Sequence, residues 1–145
     1  RPILLYGVPH AGGRGNWATR VTDALSNGHI LHVVNDVNTQ PTYAEDLAKV
    51  IWQLVPCECG VYHIACPEVM TLYEFAISVA AVWTQSTVNV DNRILPARSE
   101  MFKDLASRPQ DTTYDLTKIR TFLKRKKQPM PCGVKDGLQR MYCEL

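Results

Sequence analysis

Apolar positions along this chain alternate between short runs and helical stripes. Ile3-Leu4-Leu5-Tyr6, closed by Gly7, predicts a short strand. A glycine-rich turn over 11–15 then leads into a stripe that predicts a helix over 17–25, stopped by Asn27-Gly28. Residues 29–34 are rich in β-formers. Ala44, Leu47, Ala48, Ile51 and Val55 predict one apolar helix face, and Thr42 with Glu45 spells a T-x-x-E capping box at its start. Residues 61–65 predict another strand. A second box, Thr71 with Glu74, opens a helix carrying Leu72, Phe75, Ala76, Val79, Ala80 and Trp83. An extended segment over 92–96 follows, then a shorter helix on Leu116, Ile119 and Leu123, and a last helical stretch on Val134, Leu138 and Met141. Strands and helices alternating in this way predict an α/β fold. Trp52, Trp83, Tyr73 and Phe75 lie in amphipathic patterns and are expected in the core; Trp17, which directly follows a loop asparagine, is the exception.

At 145 residues the chain is one domain, long enough to bury about 70% of its unfolded surface. A net charge of +2 supplies no electrostatic case for a nucleic-acid partner or an anionic membrane. No apolar run approaches the roughly 20 residues needed to span a bilayer. Five cysteines, Cys57, Cys59, Cys66, Cys132 and Cys143, leave one unpaired in any full disulfide scheme, which predicts free thiols in a reducing, cytoplasmic setting. Cys57-Glu58-Cys59 near His63 lacks the Cys-x2-Cys spacing of zinc sites, so structural thiols and no metal are expected. The chain opens on Arg1, carries no signal-peptide pattern, and enters a strand at once. These features predict a piece of a longer protein.

Three motifs carry candidate chemistry. Gly13-Arg14-Gly15-Asn16-Trp17-Ala18 satisfies G-x-G-x-x-A, with Asp36 about 20 residues on, the outline of a dinucleotide-binding fingerprint. Six residues separate Tyr6 from Gly13, however, whereas a cofactor turn follows its strand directly; a loop over a phosphate or a surface loop fits better. Tyr114 and Lys118 match Y-x-x-x-K, the spacing that sets a general-acid tyrosine beside a lysine. Here the motif follows Arg108-Pro109 and a polar run, so it reads as the start of a small helix. Arg108, held extended by the proline after it, is suited to grip a phosphate with both arms of its guanidinium. Lys124-Arg125-Lys126-Lys127 reads as a solvated loop.

Taken in order, several segments resemble the extended short-chain dehydrogenase superfamily, in its dTDP-4-dehydrorhamnose reductase-like branch. They are residues 3–7, Asn16-Trp17, Asp36 leading to Pro41-Thr42-Tyr43, Asp46-Leu47-Ala48, Gly60-Val61-Tyr62-His63, residues 71–76, and Arg108-Pro109 through Asp115 to Lys118. The resemblance implies the C-terminal, substrate-binding half of a Rossmann-like NAD(P)-binding protein, spanning 1–145. Residues 3–6 and 61–65 would be sheet strands, and the rest a small lobe closing over a nucleotide-sugar. It implies that Asn16, Trp17 and Arg108 lie near the ligand's diphosphate or base, and that NADP(H) is held mainly by an upstream half with its own glycine loop and Tyr/Lys pair. The branch usually reads Asp-Gln-x-Gly-x-Pro-Thr where this chain has Asp36-Val37-Asn38-Thr39-Gln40-Pro41-Thr42, so the usual glutamine and glycine are absent.

Residues 2–7, 68–74 and 133–138 are more similar to the regulatory β subunit of methionine adenosyltransferase, a relative on the same fold. That resemblance implies a protein that binds NADP without turnover and partners the methionine adenosyltransferase catalytic subunit. The leading expectation is therefore a regulatory, partner-binding role. The alternatives are an NADPH-dependent nucleotide-sugar reductase and a self-contained βαβ nucleotide binder using Gly13 and Gly15. On none of these readings would the 145 residues alone catalyse hydride transfer.

Overall fold

The computed structural model describes residues 1–56, 59–84, 92–102 and 109–143. Its elements run β1 (Leu5–Tyr6), α1 (Trp17–Ser26), β2 (Leu31–Val34), β3 (Asn38–Thr39), β4 (Thr42–Tyr43), α2 (Ala44–Leu54), β5 (Met70–Thr71), α3 (Leu72–Thr84), β6 (Ile94–Ala97), α4 (Thr117–Arg125) and α5 (Val134–Cys143), the expected α/β alternation. The strands pair two by two. β1 runs parallel to β4, with Tyr6 opposite Tyr43; β2 runs parallel to β6; β3 runs antiparallel to β5. Two- and four-residue ladders of this kind cannot sustain themselves in water and depend on the helices that cover them.

α3 is the central helix. It is apolar on most sides and packs on α1, on α5 and on the β2–β6 pair, burying Phe75, Ala76, Val79 and Ala80. Its start is the capping box read from sequence: the Thr71 N–H donates to Glu74 Oε2 (2.7 Å) and the Glu74 N–H to Thr71 Oγ1 (3.1 Å). A second apolar cluster gathers Leu47 and Val50 of α2, Tyr62, Ile64 and Ala65, and Ile119, Phe122 and Leu123 of α4.

Four expectations are corrected. Thr42 caps nothing: α2 starts after Tyr43, which makes no side-chain cap. The Thr42 hydroxyl instead donates to the Gln40 carbonyl and accepts the Cys66 N–H, so a long-range partner outcompetes the local one. Residues 61–65 are assigned no strand ladder; they are tied to the N-terminal segment by the Arg1 backbone nitrogen on the Tyr62 carbonyl (2.6 Å) and the Ile64 N–H on the Arg1 carbonyl (3.1 Å). The α2 stripe is rotated from the expected one. Asp46, Leu47 and Val50 are buried, while Ile51, Trp52 and Val55 are 43%, 73% and 69% exposed. Trp83 is partly exposed as well. The cysteines among the described residues are free thiols; Cys57 lies outside those residues.

α5 is fixed by acids from elsewhere in the chain. Asp46 Oδ1 accepts from Arg140 (2.8 Å) and Oδ2 from the Cys132 N–H (2.9 Å), while Glu68 Oε2 accepts the Val134 N–H (3.0 Å). Burial pushes the Asp46 carboxyl up, but the Cys132 N–H and Arg140 outweigh it and hold the group below its usual value. Burial and the neighbouring Asp46 push the Cys132 thiol up to about 12, so it stays protonated. Gly137 lets α5 approach the β1–β4 pair: a Cβ there would overlap the Tyr6 hydroxyl and lie 3.1 Å from Tyr43 Cβ. That hydroxyl is buried and donates to the Val134 carbonyl.

Two outcomes follow. Gly137→Ala, though favourable for an isolated helix, should destabilise the protein by about 1–3 kcal/mol, because both Tyr6 and Tyr43 are fully packed; chemical denaturation measures this. Asp46→Asn should cost about 1–2 kcal/mol at neutral pH, the Arg140 side chain being partly solvated. The folded-state Asp46 binds its proton less readily than the unfolded one. Its contribution is thus complete above about pH 4 and lost as pH falls through the depressed folded value. Denaturation curves across the acid range should accordingly show a shallower pH slope for the variant than for the parent.

Candidate functional site

The loop between β1 and α1 is closed by one side chain. Asn16 is the N-cap of α1, its backbone extended (φ −112°, ψ −176°). Its Oδ1 accepts from the N–H groups of Ala18 (3.0 Å) and Thr19 (3.3 Å), and its Nδ2 donates to the Gly7 carbonyl at the end of β1 (2.7 Å). Thr19 completes the box, its hydroxyl accepting the Asn16 N–H (2.8 Å) and donating to the Asn16 carbonyl (2.9 Å). Both ends of the Asn16 amide are therefore engaged with backbone. Its part is to place the start of α1 against the end of β1.

The glycines of the apparent fingerprint serve this cap. A Cβ on Gly15 would fall 2.8 Å from the Thr19 hydroxyl, and one on Gly13 would fall 2.9 Å from the His10 carbonyl, which accepts the Gly13 N–H. The missing side chains at these two positions thus make room for the chain's own atoms. Trp17, the first residue of α1, is half-buried against the main core. Its ring carries the Arg20 guanidinium at 4.8 Å from the centroid, a neighbour the motif reading passed over.

A second set of bonds ties residues 35–40 to the segments over 97–99 and 110–114. The Asn35 N–H donates to the Ala97 carbonyl, and Asp36 accepts from both the N–H and the hydroxyl of Ser99, joining the ends of β2 and β6. From β3, the Asn38 N–H donates to the Gln110 carbonyl, and the Asn38 carbonyl accepts the N–H and hydroxyl of Thr112. Buried Gln40 accepts the Tyr114 N–H at 2.7 Å. In the stretch where the usual glutamine and glycine are absent, Asn38 and Gln40 hold residues 110–114 in place. Arg108 itself lies outside the described residues. Gln40 carried no sequence signal, because its partner is 74 residues away.

The Tyr114/Lys118 spacing is structural. Tyr114 precedes α4, stacks on His63 (4.3 Å between centroids) and donates to the Pro2 carbonyl, while the Lys118 ammonium donates to the Val61 carbonyl and lies over the Tyr62 ring. Among the described residues no group of three His, Cys, Asp or Glu side chains could hold a metal ion, and no helix is long and apolar enough to cross a membrane.

Residues 4–143 match the RmlD substrate binding domain family. A dTDP-4-dehydrorhamnose reductase from Aggregatibacter actinomycetemcomitans is 32% identical over 115 residues, covering 72% of this chain and 38% of that protein. The dTDP-4-dehydrorhamnose reductase of Bacillus anthracis, solved in complex with NADP, superposes with a TM-score of 0.80 at 24% identity over 100% of this chain and 47% of its own. The UDP-N-acetylglucosamine 4-epimerase of Bacillus cereus superposes at 0.71 and 16% identity, over 100% and 44%. The fold is that of the Rossmann-like extended short-chain dehydrogenases, and the chain spans less than half the length of these relatives.

The cap geometry separates two roles of Asn16. Asn16→Ala should cost about 1–2 kcal/mol, removing the cap and the Gly7 tie together. Asn16→Ser keeps a cap acceptor but loses the donor to Gly7, and should cost measurably less. Equal losses in thermal or chemical melts would show that the Gly7 tie, not the cap, is what counts.

Proposed function

The chain belongs to the RmlD substrate binding domain family, and on that premise we propose that it is the nucleotide-sugar-binding part of an NADP(H)-dependent reductase of the extended short-chain dehydrogenase class. The observation that carries this reading is the family match over 4–143, which includes the Gly7–Asn16–Trp17 junction and the approach to Arg108. In this reading Asn16 fixes the loop, Trp17 stands beside the ligand with Arg20 over its ring, and Arg108 grips its diphosphate. The cofactor would supply the hydride. The G-x-G pair of this chain does not serve as its diphosphate cradle in this reading, since the missing side chains of Gly13 and Gly15 make room for His10 and Thr19. The glycine loop, like the proton-donating Tyr/Lys pair, would belong to a preceding segment of a longer protein. The work of residues 1–145 is then to bind and orient the sugar nucleotide and to exclude water around it.

A second reading is regulatory, with NADP bound but not turned over and a methionine adenosyltransferase catalytic subunit as partner. It is supported by the resemblance over residues 2–7, 68–74 and 133–138. Two of these segments meet in the fold, where Glu68 accepts the Val134 N–H.

The reductase reading predicts that the protein binds dTDP- or UDP-sugars, and that Arg108→Ala weakens this about tenfold or more, the usual size of a lost charge-assisted contact. Calorimetric titration measures it. Absence of nucleotide-sugar binding, together with co-purification of a methionine adenosyltransferase catalytic subunit, would replace the first reading by the second.

A further inference from the structure

The charge distribution around the β1–α1 loop is one-sided. Residues 1–22 contain Arg1, Arg14 and Arg20 and no aspartate or glutamate; the first acidic residue is Asp23. Helices ordinarily favour acids in their first turn, because the macrodipole is positive there. α1 has none in its first turn and instead carries Arg20 as its fourth residue. A cation at that place works against the helix it sits on.

Arg20 is not neutralised locally. Its side chain is exposed and makes no ion pair among the described residues, although Asp23 stands three positions on, at a spacing that allows one. Helical side chains lean toward the N-terminus, and Arg20 lies back over the Trp17 ring at 4.8 Å from its centroid. Stacking of this kind orients the planar guanidinium before any ligand arrives and leaves its N–H edges free. Asn16, whose Oδ1 and Nδ2 are both bonded to backbone, carries no charge to offer an anion.

We propose that Arg20, held on the face of Trp17, is a contact residue for the diphosphate of the bound nucleotide-sugar. This rests on the reading of the chain as a nucleotide-sugar-binding domain and adds a second arginine to it. The anion meets the free edge of a guanidinium that Trp17 keeps at the mouth of the loop. Lysine could supply the charge but neither the fork nor the stacking plane.

The test is calorimetric titration of the protein and of Arg20→Ala and Arg20→Lys with UDP and dTDP, and with uridine and thymidine as phosphate-free controls, at low and high salt. Arg20→Ala is expected to bind the nucleoside diphosphates about tenfold more weakly and with a shallower salt dependence, while its melting temperature does not fall and its weak nucleoside binding stays unchanged. Arg20→Lys should fall between the two. Undiminished diphosphate binding by Arg20→Ala would overturn the assignment of Arg20 and leave the domain reading standing. An equal loss of nucleoside binding would also overturn it, since the contact would then not be to phosphate. A parent protein that binds none of the four compounds would overturn both.

Discussion

The anchoring of α5 by two carboxylates from distant parts of the chain is the constraint on which the rest of the structure depends. The first turn of a helix presents N–H groups with no partner inside the helix. Here the residue before α5 is Gly133, with no side chain to cap them. Glu68 accepts the Val134 N–H, and Asp46, from the start of α2, takes both the Cys132 N–H and the Arg140 guanidinium. Asp46 is tolerable in its buried place because the Cys132 N–H just before α5 and Arg140 within the helix supply its donors, while Glu68 is exposed. The helix thus held lies across Tyr6 and Tyr43, the two residues that make up the far end of the β1–β4 pair. That pair in turn places Gly7, whose carbonyl receives the Asn16 amide. The candidate site at the head of α1 therefore inherits its position from a helix more than 100 residues later in the chain.

How much of this was legible in the sequence depended on where each group's partner lay. The Thr71/Glu74 box formed as read because both partners sit within one turn and nothing competes for them. The identical T-x-x-E pattern at Thr42 failed because the Cys66 N–H, 24 residues away, takes the hydroxyl. Periodicity located α2 but not its inward face. The stripe holding Ile51 and Val55 is as apolar as the one holding Leu47 and Val50, and only the distant partners of the second cluster, Tyr62, Ile64 and the apolar face of α4, decide between them. Residues 61–65 have the composition of a strand, yet their backbone bonds are to Arg1 and to the Lys118 side chain. Alternation describes an extended chain and does not say what lies beside it.

For the candidate site, sequence reading reached residues but not roles. Asn16 and Trp17, which the resemblance put in a loop near the ligand, stand at the head of α1, and the asparagine's polar atoms are directed to backbone. The two spacings with the most chemical promise, G-x-G-x-x-A and Y-x-x-x-K, turn out to be packing solutions. In the first, missing side chains make room for Thr19 and His10. In the second, Tyr114 stands ahead of α4, so the four-residue spacing does not bring it and Lys118 onto one helical face. A motif carries its chemistry only when the local conformation that justifies its spacing is present.

Charge placement complements motifs because it can be judged against the fold's own needs. Asp46 and Glu68 are explained by the donors they satisfy, and Lys124 and Arg125 by the helix C-terminus they occupy, where cations are favourable. Thr42, Gln40 and Asp36 are each explained by a bond that joins two segments. Arg20 has no such account: it opposes the dipole of its own helix, forgoes Asp23, and covers an aromatic face beside a loop that contains no acid. A residue that costs the fold a little electrostatic energy, and that no other group in the described chain needs, is where an anionic ligand has most to gain. The same reasoning sets Asn16 apart, since both its Oδ1 and its Nδ2 are bonded to backbone that shapes the head of α1.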